Sequence, residues 1–130
     1  MGYPTVADTY LKVENMDRAV DFYEAFLGVK AEYRYEDRWV SINDRLGLYN
    51  PSYDIQHSVP LTEYHREIQI GNNVVVVFSS DDVDEDHMWV LSLGATGITD
   101  IFEINLMAPY RFFHFKDTDG NIVEVGRMGG

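Results

Sequence analysis

Two residues near the end of the chain, His114 and Glu124, have side chains that could transfer a proton. They flank the turn sequence Asp-Thr-Asp-Gly at residues 117–120. If Asp117 faces Asn121 across a three-residue loop, His114 lies directly opposite Glu124 on one face of the sheet. An imidazole held by a carboxylate is a candidate general base near neutral pH. The alternative is a structural ion pair in a polar cleft, and a register shift of one residue would separate the two side chains.

Aromatic side chains are the second set of candidate site residues. Because alternate residues of a strand point to opposite faces, some rings on the predicted strands must face away from the helices. Such rings can stack on a flat ligand or attract a cation, whereas ordinary core packing is the alternative for each ring. The ligand-binding candidates are Tyr10, Trp39, Tyr49, Tyr110 and Phe112.

The elements that would position these residues occur twice in the sequence. Each copy has a strand, a turn rich in Asp or Asn, and an amphipathic helix that ends at Leu-Gly. The first copy begins with a strand at residues 9–13 and its helix ends at Leu27-Gly28, and the second begins at residues 74–78 and ends at Leu93-Gly94. The repeat predicts one domain of two similar modules, about residues 5–52 and 66–127, with a ligand cleft where they face each other.

Short β-prone segments follow each predicted helix. They occupy residues 31–35, 39–43 and 46–50 in the first module, and residues 97–104, 110–116 and 121–126 in the second. Residues 51 to about 70 predict a connecting loop with one strand near residues 67–70. The sequence therefore predicts an α+β fold of two β-α-β-β-β modules.

Charge and composition narrow the range of partners. The chain has 22 acidic and 10 basic residues and a formal net charge of −12, which disfavours nucleic acid and anionic membranes and favours cationic small molecules. Solubility alone is the other explanation of this acidity. There is no cysteine, and the longest aliphatic run, residues 74–78, is too short to cross a bilayer. We therefore expect a cytoplasmic protein without a signal peptide.

Three segments together resemble one protein family. They are YLKVENMDRAVDFY at residues 10–23, Leu27-Gly28, and FKDTDGNIVEV at residues 115–125. The chain is similar over nearly its whole length to the vicinal oxygen chelate superfamily, which includes glyoxalase I, extradiol dioxygenases, methylmalonyl-CoA epimerase and bleomycin-resistance proteins. The resemblance implies that the two modules form a curved mixed sheet around a cleft. It also implies a homodimer, and the open edge strands of such modules favour one as well.

The resemblance also implies four positions at which metal-binding members of the superfamily carry His, Glu or Gln. In this chain these positions hold Asp8, Gly47, Val75 and Glu124, so that Glu124 alone matches. Because a catalytic metal needs about three protein ligands, we expect no metal cofactor. A divalent metal would require an atypical ligand set that includes Glu124 and Asp8.

The other histidines lie outside these four positions. His57 and His65 fall in the predicted loop, and His87 is expected on the surface of the second helix.

Two functional hypotheses follow. The first is a metal-free binding protein, similar to the bleomycin-resistance branch, that holds an organic molecule in an acidic and aromatic cleft. That molecule can be a cation. The second is a glyoxalase-like lyase, isomerase or dioxygenase that uses Glu124 and His114 with an atypical metal site. The missing carboxylate at Gly47 favours the first hypothesis.

Overall fold

A computed structural model describes residue 3 and residues 6–66, 74–105 and 108–129. The chain forms two compact units, residues 1–69 and 70–130, each with its own four-stranded mixed sheet. This arrangement confirms the predicted α+β class and the repeated β-α-β-β-β order. Among the described residues, no helix combines the length and the apolar character that crossing a membrane requires.

The described residues of the first unit form four strands and three helices. In the sheet β1 pairs with β4 in parallel, and β4, β3 and β2 follow as antiparallel neighbours. The elements are β1 (Thr9–Lys12), α1 (Met16–Leu27), β2 (Tyr33–Tyr35), β3 (Trp39–Ile42), β4 (Leu46–Tyr49), α2 (Pro51–Gln56) and α3 (Glu63–Arg66).

Helix α1 begins and ends where the sequence predicts. The Asn15 side chain accepts a hydrogen bond from the backbone N–H of Arg18 at 3.0 Å, which satisfies a donor that the first turn cannot use. At the other end Gly28 has a φ of 66°, a left-handed conformation that glycine adopts without steric cost. Between them the apolar residues buried by the helix are Met16, Ala19, Val20, Phe22 and Tyr23.

The two faces of the first sheet differ in character. Leu11, Val40 and Leu48 share one face and are at most 5% exposed, and both β3 and β4 contact α1. Because side chains alternate along a strand, Tyr10 and Tyr49 lie on the opposite face. This opposite face is the aromatic face of the first unit.

Two short helices lie in the segment after β4, so the predicted loop is wrong at residues 51–56 and 63–66, whereas residues 57–62 connect the helices without regular structure. Asn50 accepts a hydrogen bond from the backbone N–H of Ser52, and Pro51 occupies the first turn of α2, where its missing N–H has no cost. Both helices are too short to produce a recognisable apolar period. The strand predicted near residues 67–70 lies outside the described residues.

The second unit repeats the plan, and its described part forms one helix and four strands. In its sheet β5 pairs with β8 in parallel, and β8, β7 and β6 follow as antiparallel neighbours. The elements are β5 (Val76–Ser79), α4 (Val83–Leu91), β6 (Phe102–Asn105), β7 (Pro109–Lys116) and β8 (Ile122–Met128). Asp82 caps α4 as expected, but the helix ends at Leu91, before the predicted Leu-Gly stop.

The hairpin between β7 and β8 has the predicted register. The backbone N–H of Asp117 donates to the carbonyl of Asn121 at 2.9 Å, and the Asp117 side chain accepts from the backbone N–H of Asp119 and of Asn121. Gly120 has a φ of 89°, which the turn requires. The buried Asp117 side chain therefore holds the loop, and His114 pairs directly with Glu124.

Candidate functional site

In the second unit Glu124 lies at the centre of a polar cluster. Its Oε1 is 2.8 Å from Nε2 of His114, and its Oε2 accepts a hydrogen bond from the Tyr110 hydroxyl at 2.6 Å. Because a carboxylate only accepts hydrogen bonds, Nε2 of His114 is the donor, and Nδ1 is the basic nitrogen of the neutral ring. The Glu124 side chain is 19% exposed and that of His114 is 36% exposed, so solutes can reach the pair.

The electrostatics keep Tyr110 as a hydrogen-bond donor. Burial and the hydrogen bond to Glu124 raise the pKa of Tyr110 to about 12. The phenol therefore remains protonated at neutral pH and continues to donate to the carboxylate. Both oxygens of Glu124 thus have a protein partner.

Aromatic rings extend this cluster across the sheet. Phe112 stacks on Tyr110 with a centroid distance of 5.3 Å and an interplanar angle of 17°, and on Phe102 at 5.8 Å. The His114 ring is also 5.3 Å from Phe112. The structure thus brings together the four candidates of the second half, which form one half-exposed face of stacked rings beside a carboxylate.

The candidates of the first unit form a separate aromatic pocket of about 280 Å³. The Tyr10 ring packs edge-on against Trp39 at 5.6 Å and against Tyr49 at 5.7 Å. His65 on α3 completes the cluster, since its ring is 5.0 Å from Tyr49 and its Nε2 is 3.1 Å from the Tyr10 hydroxyl. A small flat molecule could stack on these rings.

An ion pair between Arg38 and Asp54 lines this pocket. The Asp54 side chain is 1% exposed and accepts two hydrogen bonds from Arg38, one from Nε at 2.6 Å and one from Nη2 at 3.2 Å. The Tyr49 hydroxyl donates to the same carboxylate at 2.6 Å. Burial acts to raise the pKa of Asp54, but the hydrogen bonds from Arg38 and Tyr49 outweigh it, and the pKa is lowered. Asp54 is therefore charged at neutral pH and fixes the position of Arg38.

His65 is held in its neutral form. Burial lowers the pKa of His65, the positive charge of Lys12 lowers it further, and Asp54 opposes them only in part. The Nδ1 atom of His65 is buried and has no hydrogen-bond partner among the residues that the structure describes. Buried polar atoms are usually hydrogen-bonded, so this nitrogen is a candidate contact for a bound molecule.

The lowered pKa of His65 predicts a pH dependence of stability. Since the unfolded chain binds the proton more readily than the folded one, the free energy of unfolding should fall as the pH drops below about 6.5, the ordinary histidine value. Urea denaturation at about pH 7.5 and pH 5.5 measures this loss. A His65→Gln variant should lose less stability over the same interval, and an equal loss would show that His65 is not the group responsible.

Sequence reasoning missed Arg38, Asp54 and His65. Arg38 precedes β3, and the other two belong to the short helices of the segment predicted as a loop. The Asn-Pro start of α2 was the available signal, because it places Asp54 in the first turn of a helix.

The remaining histidines make local contacts. His57 stacks on Tyr53 with a centroid distance of 3.8 Å. His87 is half-buried, with Nε2 2.8 Å from the carbonyl of Thr99 and its ring against Phe113, so it does not lie on the helix surface as expected.

The four metal-ligand positions do not fit a metal site. Asp8 is exposed ahead of β1, and Val75 is an exposed apolar residue. At Gly47 a Cβ atom would lie 2.3 Å from Cη2 of Trp39, so the indole fills the space that a glutamate would need. Glu124, the one matching position, accepts a hydrogen bond from Tyr110 and lies 2.8 Å from His114. Within residues 3, 6–66, 74–105 and 108–129, no group of three or more His, Asp or Glu residues could hold an ion.

A family model supports the relationship that the motifs indicate. The model of the Glyoxalase/Bleomycin resistance protein/Dioxygenase superfamily matches residues 5–125. The chain belongs to this superfamily. None of the proteins with curated functions matches the sequence, so the superfamily assignment rests on the family model.

Several solved structures share the fold of this chain. A lactoylglutathione lyase from Agrobacterium tumefaciens has 21% identity and a TM-score of 0.70, over 97% of this chain and 95% of its own. A glyoxalase/bleomycin resistance protein/dioxygenase family enzyme from Burkholderia phytofirmans PsJN has 11% identity and a TM-score of 0.72, over 96% and 99%. A protein from the mobile metagenome of V. Pseudocholerae has 21% identity and a TM-score of 0.71, over 100% and 98%. At these identities the likeness establishes the fold alone.

Proposed function

We propose that this protein is a metal-independent, small-molecule-binding member of the glyoxalase/bleomycin resistance superfamily. The observation that carries the proposal is the position of Trp39. Its indole lies over Gly47, where a Cβ atom would be 2.3 Å away, and its Nε1 donates to the Ser41 hydroxyl at 2.8 Å. One ligand position of the superfamily has thus become part of an aromatic surface.

The second unit supports binding of an organic cation. The Glu124 carboxylate lies beside the stacked rings of Tyr110 and Phe112. The carboxylate attracts a positive charge by Coulomb interaction, and the ring faces attract it by cation–π interaction. The net charge of −12 raises the local concentration of cations around the protein. A cationic ligand at this face would contact Phe112 and approach Glu124.

Metal analysis of the purified protein tests the proposal. After loading with nickel, zinc, manganese or iron and dialysis against a chelator, we expect the protein to retain less than one metal ion per chain, because the four family positions supply few donors. Elemental analysis by mass spectrometry gives the stoichiometry. The Glu124→Ala variant is the matched control and should give the same background.

The competing function is a metal-dependent lyase with an atypical ligand set. The pairing of His114 with Glu124 at 2.8 Å favours it, since such a pair can move a proton. Stoichiometric metal that survives dialysis and disappears in Glu124→Ala would favour this function over ours. Turnover of a methylglyoxal–glutathione hemithioacetal, abolished by His114→Ala, would support the catalytic roles.

A further inference from the structure

Two grooves of the first unit meet at Arg38 and Trp39. One is the aromatic pocket of about 280 Å³, and the other has a volume of about 660 Å³. The larger groove is lined by Tyr33, Tyr35, Arg38, Trp39, Tyr53, His57 and Val59. Both volumes are of the order that small organic ligands require.

Arg38 is held in place but retains free hydrogen-bonding capacity. Asp54 binds Nε and Nη2, and the guanidinium carbon lies 5.4 Å from the centroid of the Tyr49 ring. The Nη1 atom donates no hydrogen bond to any residue that the structure describes. The Arg38 side chain is 37% exposed and lines both grooves, so a ligand in either groove can contact it.

The surroundings of Arg38 select the charge of the ligand. Asp54 is almost fully buried and its oxygens already bind Arg38 and Tyr49, so it offers nothing to a cation. A cationic ligand would instead meet the guanidinium. A carboxylate matches the remaining N–H groups of arginine and forms charge-assisted hydrogen bonds with them. The net charge of −12 acts against an anion just as it favours a cation, and screening at physiological salt weakens both effects for charges separated by more than about 8 Å.

The surrounding rings select the shape of the ligand. The ring centroid of Tyr10 lies 5.6 Å from that of Trp39 and 5.7 Å from that of Tyr49. Tyr35 and Tyr53 form a similar edge-on pair at 6.2 Å in the larger groove. Edge-on clusters of this kind leave ring faces on which a flat molecule can stack. A planar ring is therefore favoured over a flexible chain.

We propose that the first unit binds a planar aromatic carboxylate, with its ring on Trp39 and Tyr10 and its carboxylate on Nη1 of Arg38. The proposal rests on the metal-independent binding function and assigns a ligand class to the aromatic pocket. The cation site proposed above uses other residues, those of the second unit around Glu124.

A titration followed at the Trp39 indole tests this assignment. The chain has two tryptophans, so Trp89→Phe on α4 leaves Trp39 as the single indole N–H signal in a nitrogen–proton NMR spectrum. The probes are naphthalene-2-carboxylate, the neutral naphthalene-2-carboxamide and the cationic 2-naphthylmethylammonium. We expect saturable shifts of the Trp39 signal, with the carboxylate binding about tenfold more tightly than the amide.

Paired variants identify the residue that recognises the carboxylate. Arg38→Gln together with Asp54→Asn removes both charges, leaves no unpaired buried carboxylate and keeps an acceptor for Tyr49. This variant should lose about tenfold in affinity for the carboxylate and little for the amide. The matched control is Arg111→Gln, because Arg111 makes the same two-bond contact with Asp84 in the second unit. A native spectrum and urea midpoint establish that each variant is folded.

Several outcomes would overturn the inference. Equal affinities for carboxylate and amide, tighter binding of the ammonium at Trp39, the same loss in Arg111→Gln, or no saturable shift with any probe at millimolar concentration would each contradict it. The metal analysis is independent of these titrations. Retained stoichiometric metal would refute the proposed function, whereas a failed carboxylate preference in a metal-free protein would refute the ligand class alone.

Discussion

Substitution of Phe113 by alanine is expected to lower the free energy of unfolding by about 4 kcal/mol, the largest effect among the variants considered. Phe113 is 0% exposed and packs in the core of the second unit, where His87 contacts its ring edge-on at 4.8 Å. Its removal would leave a cavity that the surrounding strands cannot close. Urea denaturation monitored by circular dichroism measures the change.

The neighbouring Phe112 is the matched control for this prediction. It has the same side chain on the opposite face of β7, is only half-buried, and stacks on Tyr110 and Phe102. We expect Phe112→Ala to cost about 1 kcal/mol, since an exposed stacked pair contributes far less than a core ring. Equal losses for the two variants would mean that β7 does not separate a core face from a ligand-accessible face.

Arg38→Ala is expected to destabilise the first unit by about 3 kcal/mol. The physical reason is the charge left behind, because Asp54 is 1% exposed and would lose both of its hydrogen bonds from the guanidinium. Its pKa, which Arg38 and Tyr49 now hold low, would rise. Urea denaturation near neutral pH detects the loss, which should shrink at acidic pH as Asp54 becomes protonated.

Arg111→Ala provides the comparison for this ion pair. Arg111 also donates two hydrogen bonds to one carboxylate, at 2.9 and 3.2 Å, but its partner Asp84 is 66% exposed. Water can solvate Asp84 after the substitution, so a much smaller cost than that of Arg38→Ala is expected. A similar cost for both arginines would contradict the role assigned to the burial of Asp54.

The parts of the fold predictable from sequence are those determined by neighbours along the chain. Asn15 and Gly28 define the two ends of α1, because an N-cap side chain and a left-handed glycine stop the helix to which they are adjacent. The pairing of His114 with Glu124 follows from a short loop, since the loop length sets which residues face each other across a hairpin. The alternation of side chains then placed Phe112 and Tyr110 on the face away from the core.

The aromatic pocket was predictable only in part. Tyr10, Trp39 and Tyr49 were candidates because alternation along the predicted strands puts some rings on the face away from the helices. The structure places all three on one face. The contacts that define the pocket join Arg38 to Asp54 and Tyr10 to His65, which are 16 and 55 residues apart. The path of the chain through α2 and α3 creates these contacts, and no local pattern encodes that path.

The sequence by itself determined the superfamily and the doubled β-α-β-β-β plan, because these properties depend on residue identity and local order. Only the tertiary structure decided that an indole covers Gly47 and that a buried carboxylate fixes Arg38 beside it. Side-chain packing and burial depend on the atoms that distant segments bring together, and the free energy of a charge or a ring is set by those surroundings.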